Sequence, residues 1–128
     1  SVGDIASVDS EGYVSIRDRK KDMIISGGMN IYPVEIESVL HEYPQILDVA
    51  VFGIPDEEWG ESVYCIVSPR EGQVIDLNEL RDFAVSRLAK YKCPRNYEIR
   101  SELPRTEAGK LLKRHLRDEF WVGRDQKV

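Results

Sequence analysis

Five charged residues in succession, Asp18-Arg19-Lys20-Lys21-Asp22, follow Arg17 and constrain the fold of this chain more than any other feature. Such a run cannot lie in an apolar core, because each unpaired buried charge costs more than the marginal stability of a domain allows. Apolar segments stand on both sides: Val14 and Ile16 before it, Met23-Ile24-Ile25 after it. Residues 18 to 22 therefore read as a solvated joint between a short leading piece and a longer unit. The leading piece has the pattern of a β-hairpin, Asp4 to Val8 and Tyr13 to Arg17 around the turn Asp9-Ser10-Glu11-Gly12.

Beyond the joint the periodicity alternates between strand and helix. Ser26-Gly27-Gly28 is a flexible turn, Met29 to Tyr32 a short extended piece, and Pro33 suits the first position of a helix running to about Glu42. Glu35 and Glu37 complement that helix's N-terminal dipole, and Ile36, Val39 and Leu40 form its apolar stripe. Ile46 to Ile54 and Ser62 to Ser68 are β-branched and apolar enough for central strands, separated by the polar loop Pro55 to Gly60. Asp76 is placed to cap a helix carrying Leu77, Leu80, Phe83, Ala84 and Leu88 at helical spacing. Asn96 to Ser101 reads as a last strand, and an amphipathic run follows from Leu111 to Phe120. The order predicts an α+β fold: a small mixed β-sheet flanked by about three helices and preceded by a β-hairpin.

Composition narrows the function. With 128 residues and no apolar run of bilayer length or secretory leader, the chain is expected to be one soluble, cytoplasmic domain. A net charge of -5 argues against a general nucleic-acid binder. Cys65 and Cys93 lack metal or redox spacing and read as free thiols, and no metal site is expected. There is no GxxxxGK[ST] loop, GxSxG elbow or HExxH motif, so nothing here activates a nucleotide unaided.

Lys110 is the residue that electrostatics would not place where it stands. A helix N-terminus carries partial positive charge, so a cation in the first turn of the Leu111 to Phe120 helix either points into water or meets an anion. Lys110, Lys113, Arg114 and Arg117 fall on one face at spacings of three, four and seven, a pattern that is either a solvated face or an anion site. Gly27 and Gly28 make either a plain tight turn or a place where backbone approaches a narrow ligand. Trp59 lies in the polar loop, and Tyr91-Lys92-Cys93-Pro94-Arg95 sets an aromatic beside two cations. Both aromatics read equally as rim residues of the core or as a platform for a base, with cations for phosphates. His41 and His115 have no partner in sequence and no assigned role.

Taken in order, Gly3-Asp4, the segment Asp18 to Glu37 (with Ile24-Ile25-Ser26-Gly27-Gly28-Met29-Asn30-Ile31-Tyr32-Pro33 at its centre), Gly53-Ile54-Pro55-Asp56 with Trp59-Gly60-Glu61, and Leu103-Pro104-Arg105-Thr106-Glu107-Ala108-Gly109-Lys110 resemble successive signatures of the adenylate-forming superfamily. That superfamily contains acyl- and aryl-CoA ligases, luciferases and peptide-synthetase adenylation domains, and the resemblance covers almost the whole chain. It implies that residues 1–21 are the end of a large N-terminal domain plus a hinge, and residues 22–128 the mobile C-terminal domain. The substrates implied are a small-molecule carboxylic acid, ATP and CoA. Mg2+ is expected with ATP, its ligand lying in the N-terminal domain, which is also the partner implied.

Residue by residue, the resemblance implies that Lys110 is the adenylation lysine and that Asp4 and Arg19 contact the ribose. It further implies that Lys21 is the hinge, that the Gly27-Gly28 loop meets the pantetheine arm, and that Trp59, Tyr91, Lys92 and Arg95 contact the CoA nucleotide. Lys21 departs from members with Asp at the joint, and on the residues alone it is an ordinary surface lysine. Ile25 stands where luciferases carry a second lysine, so light-producing oxidation is not expected. An adenylation domain that loads a carrier-protein pantetheine and a non-catalytic binding module are the two alternatives.

Overall fold

The computed structural model of the protein describes residues 22 to 122. The expected leading hairpin and three of the expected site residues, Asp4, Arg19 and Lys21, lie outside the described residues.

The order of elements matches expectation from Met23 onward. A two-stranded antiparallel ribbon, β1 (Ile24–Ser26) and β2 (Met29–Ile31), leads into helix α1 (Pro33–Leu40). A long antiparallel hairpin follows, β3 (Ile46–Asp56) and β4 (Gly60–Pro69), then helix α2 (Leu77–Arg87) and a 3-10 turn (Lys90–Lys92). Strand β5 (Asn96–Ile99) joins β4 in parallel, and helix α3 (Lys113–Trp121) is the last element among the described residues. The strands form two sheets, β1-β2 and β3-β4-β5, where the periodicity suggested one.

Both faces of the three-stranded sheet are covered, which is why β3 and β4 read as near-continuous apolar runs. Val49, Val51, Val63, Cys65 and Val67 face Ile36 and Leu40 of α1 and Leu80 and Ala84 of α2. Ala50, Phe52 and Ile66 face the other way, onto Leu116 of α3 and Leu103. Phe120 adds an aromatic contact at 4.6 Å from Tyr64, and the Trp121 indole N–H donates to the Gly53 carbonyl at 2.8 Å. Arg100, just past β5, bridges Glu98 and Glu119 of α3 at 2.6 and 2.8 Å, and its hydrogen bonds hold the Glu119 carboxyl below its ordinary pKa.

Some boundaries, and the place of one strand in the sheet, differ from expectation. Helix α1 stops at Leu40, short of Glu42, because Pro44 lacks an N–H and disfavours helical geometry at Tyr43. The expected loop Pro55 to Gly60 shrinks to a tight connection: β3 runs to Asp56, whose carboxylate accepts the N–H groups of Glu58 and Trp59, and Gly60 restarts the chain at φ +86°. Among the described residues strand β3 is an edge strand, not a central one; β4 takes the centre. Asp76 caps α2 as expected, accepting from Asn78 N–H at 2.9 Å and Glu79 N–H at 3.2 Å. Asp76→Ala is expected to cost about 1 kcal/mol, seen as a melting temperature lower by a few degrees. No change in thermal melting would show that the cap is replaceable by water.

Candidate functional site

Lys110 belongs to a turn, not to a helix. Helix α3 begins at Lys113, so the expected placement of Lys110 in its first turn is corrected by an antiparallel bridge between Arg105 and Leu111. Thr106 N–H donates to the Lys110 carbonyl at 2.8 Å, and Lys110 N–H to the Thr106 hydroxyl at 3.0 Å. Gly109, at φ +89°, closes the turn, and its carbonyl accepts from the Arg105 guanidinium at 2.6 Å. The same guanidinium pairs with Asp48 of β3, which fixes the turn to the sheet. Helix-forming sequence after Leu112 cannot extend backward through this turn, because Lys110 and Thr106 already bond each other.

The consequence is an exposed ammonium on a fixed base. No carboxylate among the described residues lies within ion-pair distance of Lys110. It borders a hollow of about 520 Å³ with Phe52, Leu111, Arg114 and Arg117. The basic face predicted for the last helix is not uniform. Lys113 is occupied, 2.8 Å from Glu37 and 3.3 Å from Asp22, and Arg117 lies 4.7 Å from the centre of the Trp121 ring. A cation without a carboxylate partner can stabilise an incoming anion without first breaking an ion pair.

A second surface gathers the glycine turn and the expected aromatics. Gly27 and Gly28 sit at φ +57° and +82° in the two-residue turn between β1 and β2, a conformation that favours glycine at both. Gly27 N–H donates to the Trp59 carbonyl at 2.9 Å, so this turn and the β3-β4 turn are joined. A Cβ on Gly27 would meet Trp59 Cε3 at 2.6 Å, whereas one on Gly28 would meet nothing within 4 Å. Gly27→Ala is accordingly expected to lower the melting temperature more than Gly28→Ala, which carries only the backbone strain of about 1 kcal/mol. Equal shifts would show that the Trp59 ring yields freely.

The groove beside this turn holds about 610 Å³ and is lined in part by Gly27, Met29, Trp59, Lys90, Tyr91 and Arg95. Trp59 is 37 % and Tyr91 45 % exposed, so neither ring is used up by the core. The Arg95 guanidinium lies 5.3 Å from the Trp59 ring centre, and Arg95 N–H is tied to the Val63 carbonyl at 2.9 Å. The Trp59 backbone N–H, with smaller help from the Glu58 backbone N–H and from Arg95, holds the Asp56 carboxyl below its ordinary value. Apolar ring faces beside cations can stack a base and hold phosphate. Lys92 is placed elsewhere: its ammonium pairs with Glu35 at 2.9 Å, which raises its pKa, and Lys90 borders the groove instead. Cys93 also borders it, but burial pushes its thiol pKa up, so it is a poor thiolate. Cys65 is fully buried, and both cysteines are free.

Sequence reasoning missed the ion pairs of Arg105 and Lys113, whose partners Asp48 and Glu37 lie 57 and 76 residues away. No local spacing signals such pairs. Among the described residues no group of His, Cys, Asp and Glu could hold a metal ion, and no helix is long and apolar enough to cross a membrane.

Comparison with known proteins adds family evidence to this geometry. A family model described as "AMP-binding enzyme C-terminal domain" matches residues 35–110. The chain is 46% identical over 126 residues to the fatty acid--[acyl-carrier-protein] ligase ScoC of Streptomyces coeruleorubidus, covering 98% of this chain and 24% of that protein. It is 50% identical over 117 residues to a long-chain-fatty-acid--CoA ligase of Bacillus subtilis, covering 91% of this chain and 21% of that protein. The solved Mycobacterium tuberculosis fatty acyl CoA synthetase superposes with a TM-score of 0.71 at 43% identity, over 80% of this chain and 20% of that one. The chain thus spans about a quarter or less of the length of these relatives.

Proposed function

Because the chain belongs to the family of AMP-binding enzyme C-terminal domains, we propose that it is the mobile C-terminal domain of an ATP-dependent carboxylic acid-CoA ligase. The overall reaction joins acid and ATP as acyl-AMP with release of pyrophosphate, then passes the acyl group to the CoA thiol with release of AMP. Residues 22–128 are the moving unit in this reading, and residues 1–21 the end of the N-terminal domain plus the hinge.

The observation that carries the reading is Lys110, an exposed cation with no carboxylate partner among the described residues, on a turn pinned to the sheet. In the first half-reaction a carboxylate attacks the α-phosphate, and the two anions repel. A positioned ammonium offsets that repulsion most where negative charge converges, in the transition state. Lys110 has that role. Asp4 and Arg19 hold the ribose, since a carboxylate accepts and a guanidinium donates to its hydroxyls.

The second half-reaction needs room for a thiol where the lysine stood, so the domain turns about Lys21 and brings Gly27 and Gly28 to the pantetheine arm. Trp59, Tyr91 and Arg95 then face the CoA nucleotide, with Lys90 nearer than Lys92 to the groove. Mg2+ accompanies ATP; the described residues offer it no ligand cluster, and in this reading its ligands belong to the N-terminal domain. The two free cysteines fit a cytoplasmic setting.

The test uses the full-length protein with a set of aliphatic and aromatic acids and ATP. Acid-dependent exchange of pyrophosphate into ATP, followed by acyl-CoA formation when CoA is added, is the expected result. Acyl transfer only to a phosphopantetheinylated carrier protein would instead favour the carrier-loading alternative, which the similarity to a fatty acid--[acyl-carrier-protein] ligase keeps open. No exchange with any acid would favour a non-catalytic module.

A further inference from the structure

The least expected contact in the domain joins three segments far apart in sequence. Glu37, on α1, points one carboxylate oxygen, Oε2, at two donors: the Val51 backbone N–H at 2.9 Å and the Lys113 ammonium at 2.8 Å. The same ammonium lies 3.3 Å from Asp22, the last residue of the charged joint. Among the described residues Val51 is on an edge strand, β3, so Glu37 also satisfies an N–H that no strand described there takes. Glu37 and Lys113 are each only 21 % exposed at the side chain, which places the pair in partial shelter from water. Charge-assisted hydrogen bonds in such a setting fix geometry better than surface pairs do.

Lys113 is also the first residue of α3, three positions after Lys110. The Lys110 turn runs directly into it, through Leu112 N–H donating to the Pro104 carbonyl at 2.9 Å. The turn therefore has two anchors: Arg105 on Asp48 at one end and Lys113 on Glu37 at the other. We propose that Lys113, held by Glu37, is a positioning residue for adenylation: it fixes where Lys110 projects and ties that position to Asp22 at the end of the joint. Lys113 touches no substrate in this scheme. It acts through Lys110, so the inference rests on the function proposed above.

If the anchor positions Lys110, its loss affects the half-reaction that uses Lys110 and spares the one that does not. In the full-length protein, Lys113→Met removes the ammonium and keeps an unbranched side chain as far as Cε. The expected result is a kcat for adenylation lower by roughly 10- to 100-fold, the range that misplacement of a catalytic group by about 1 Å produces. KM for ATP and acid stays within about twofold, since the binding surfaces are untouched. Conversion of pre-formed acyl-adenylate and CoA to thioester is expected at the parent rate. Lys113→Arg, which restores a cation to Glu37, is expected to recover most of the lost kcat.

A general loss of structure would instead lower both half-reactions and would not be rescued by arginine; that result, or an unchanged adenylation rate, overturns the proposal. Should Lys113→Met prove insoluble, Lys113→Leu, which also removes the ammonium and leaves Glu37 on the Val51 N–H, carries the same expected split. Lys110→Ala is run beside these variants. If it too adenylates normally, the role given to Lys110 is wrong; if it fails while Lys113→Met adenylates normally, only the positioning proposal is.

Discussion

Lys110→Ala in the full-length protein is expected to reduce adenylate formation by several orders of magnitude and to leave thioester formation from pre-formed acyl-adenylate nearly unchanged. One lost donor to a developing charge costs ~10²–10³ in rate, and a lost full charge more. The domain should not notice the substitution. The turn uses only the backbone N–H and carbonyl of Lys110, both kept by alanine, and the side chain is exposed. An unchanged melting temperature with a split between half-reactions is thus the expected signature, read by pyrophosphate exchange and by thioester release. Equal loss in both steps would mean that the turn, and not the ammonium, had been damaged.

Much of this site was legible because it is built from local chemistry. Gly27 and Gly28 announce a tight turn, and the structure places both there at positive φ. Asp76 announces a cap because a carboxylate one residue before a helix reaches the N–H groups two and three residues on. Aromatic and cationic chemistry marks Trp59, Tyr91 and Arg95 in the sequence, and the fold brings them to one groove with Gly27. What unites them is the register of β3 with β4 and the parallel entry of β5, which put the 59 and 91–95 segments beside the β1-β2 turn.

What stayed hidden is long-range pairing. Lys113, Arg114 and Arg117 look equivalent on a helical wheel, yet Lys113 is drawn to Glu37 and Asp22, which only the tertiary fold delivers. Glu37 looked like a residue placed for the helix dipole; its carboxylate is instead spent on a β3 edge N–H and a lysine. Lys92 looked as good a phosphate contact as Arg95, but Glu35 holds it. The edge status of β3 was also invisible, because a strand covered on both faces is apolar throughout whether or not both edges are paired. Composition reports burial of faces; it does not report which backbone edge is free.

Replacing Lys21 by proline is expected to separate motion from chemistry. Proline fixes φ near -65° and restricts the residue before it, so a joint that must reach two poses keeps access to one. In the function proposed above, the ion pair between Asp22 and Lys113 fits a pivot at this position, since residue 22 lies against the unit that carries Lys110. Because a run of five charges contributes nothing to an apolar core, the melting temperature is expected to stay almost unchanged. If the retained pose is the one that presents Lys110, adenylation survives and thioester formation collapses. Single-turnover kinetics of each half-reaction, with acyl-adenylate supplied for the second, makes the measurement. Parent rates in both steps would show that the domain pivots elsewhere, and a further variant, Asp22→Asn, would then tell whether the Lys113 contact yields to let the pivot move past residue 22.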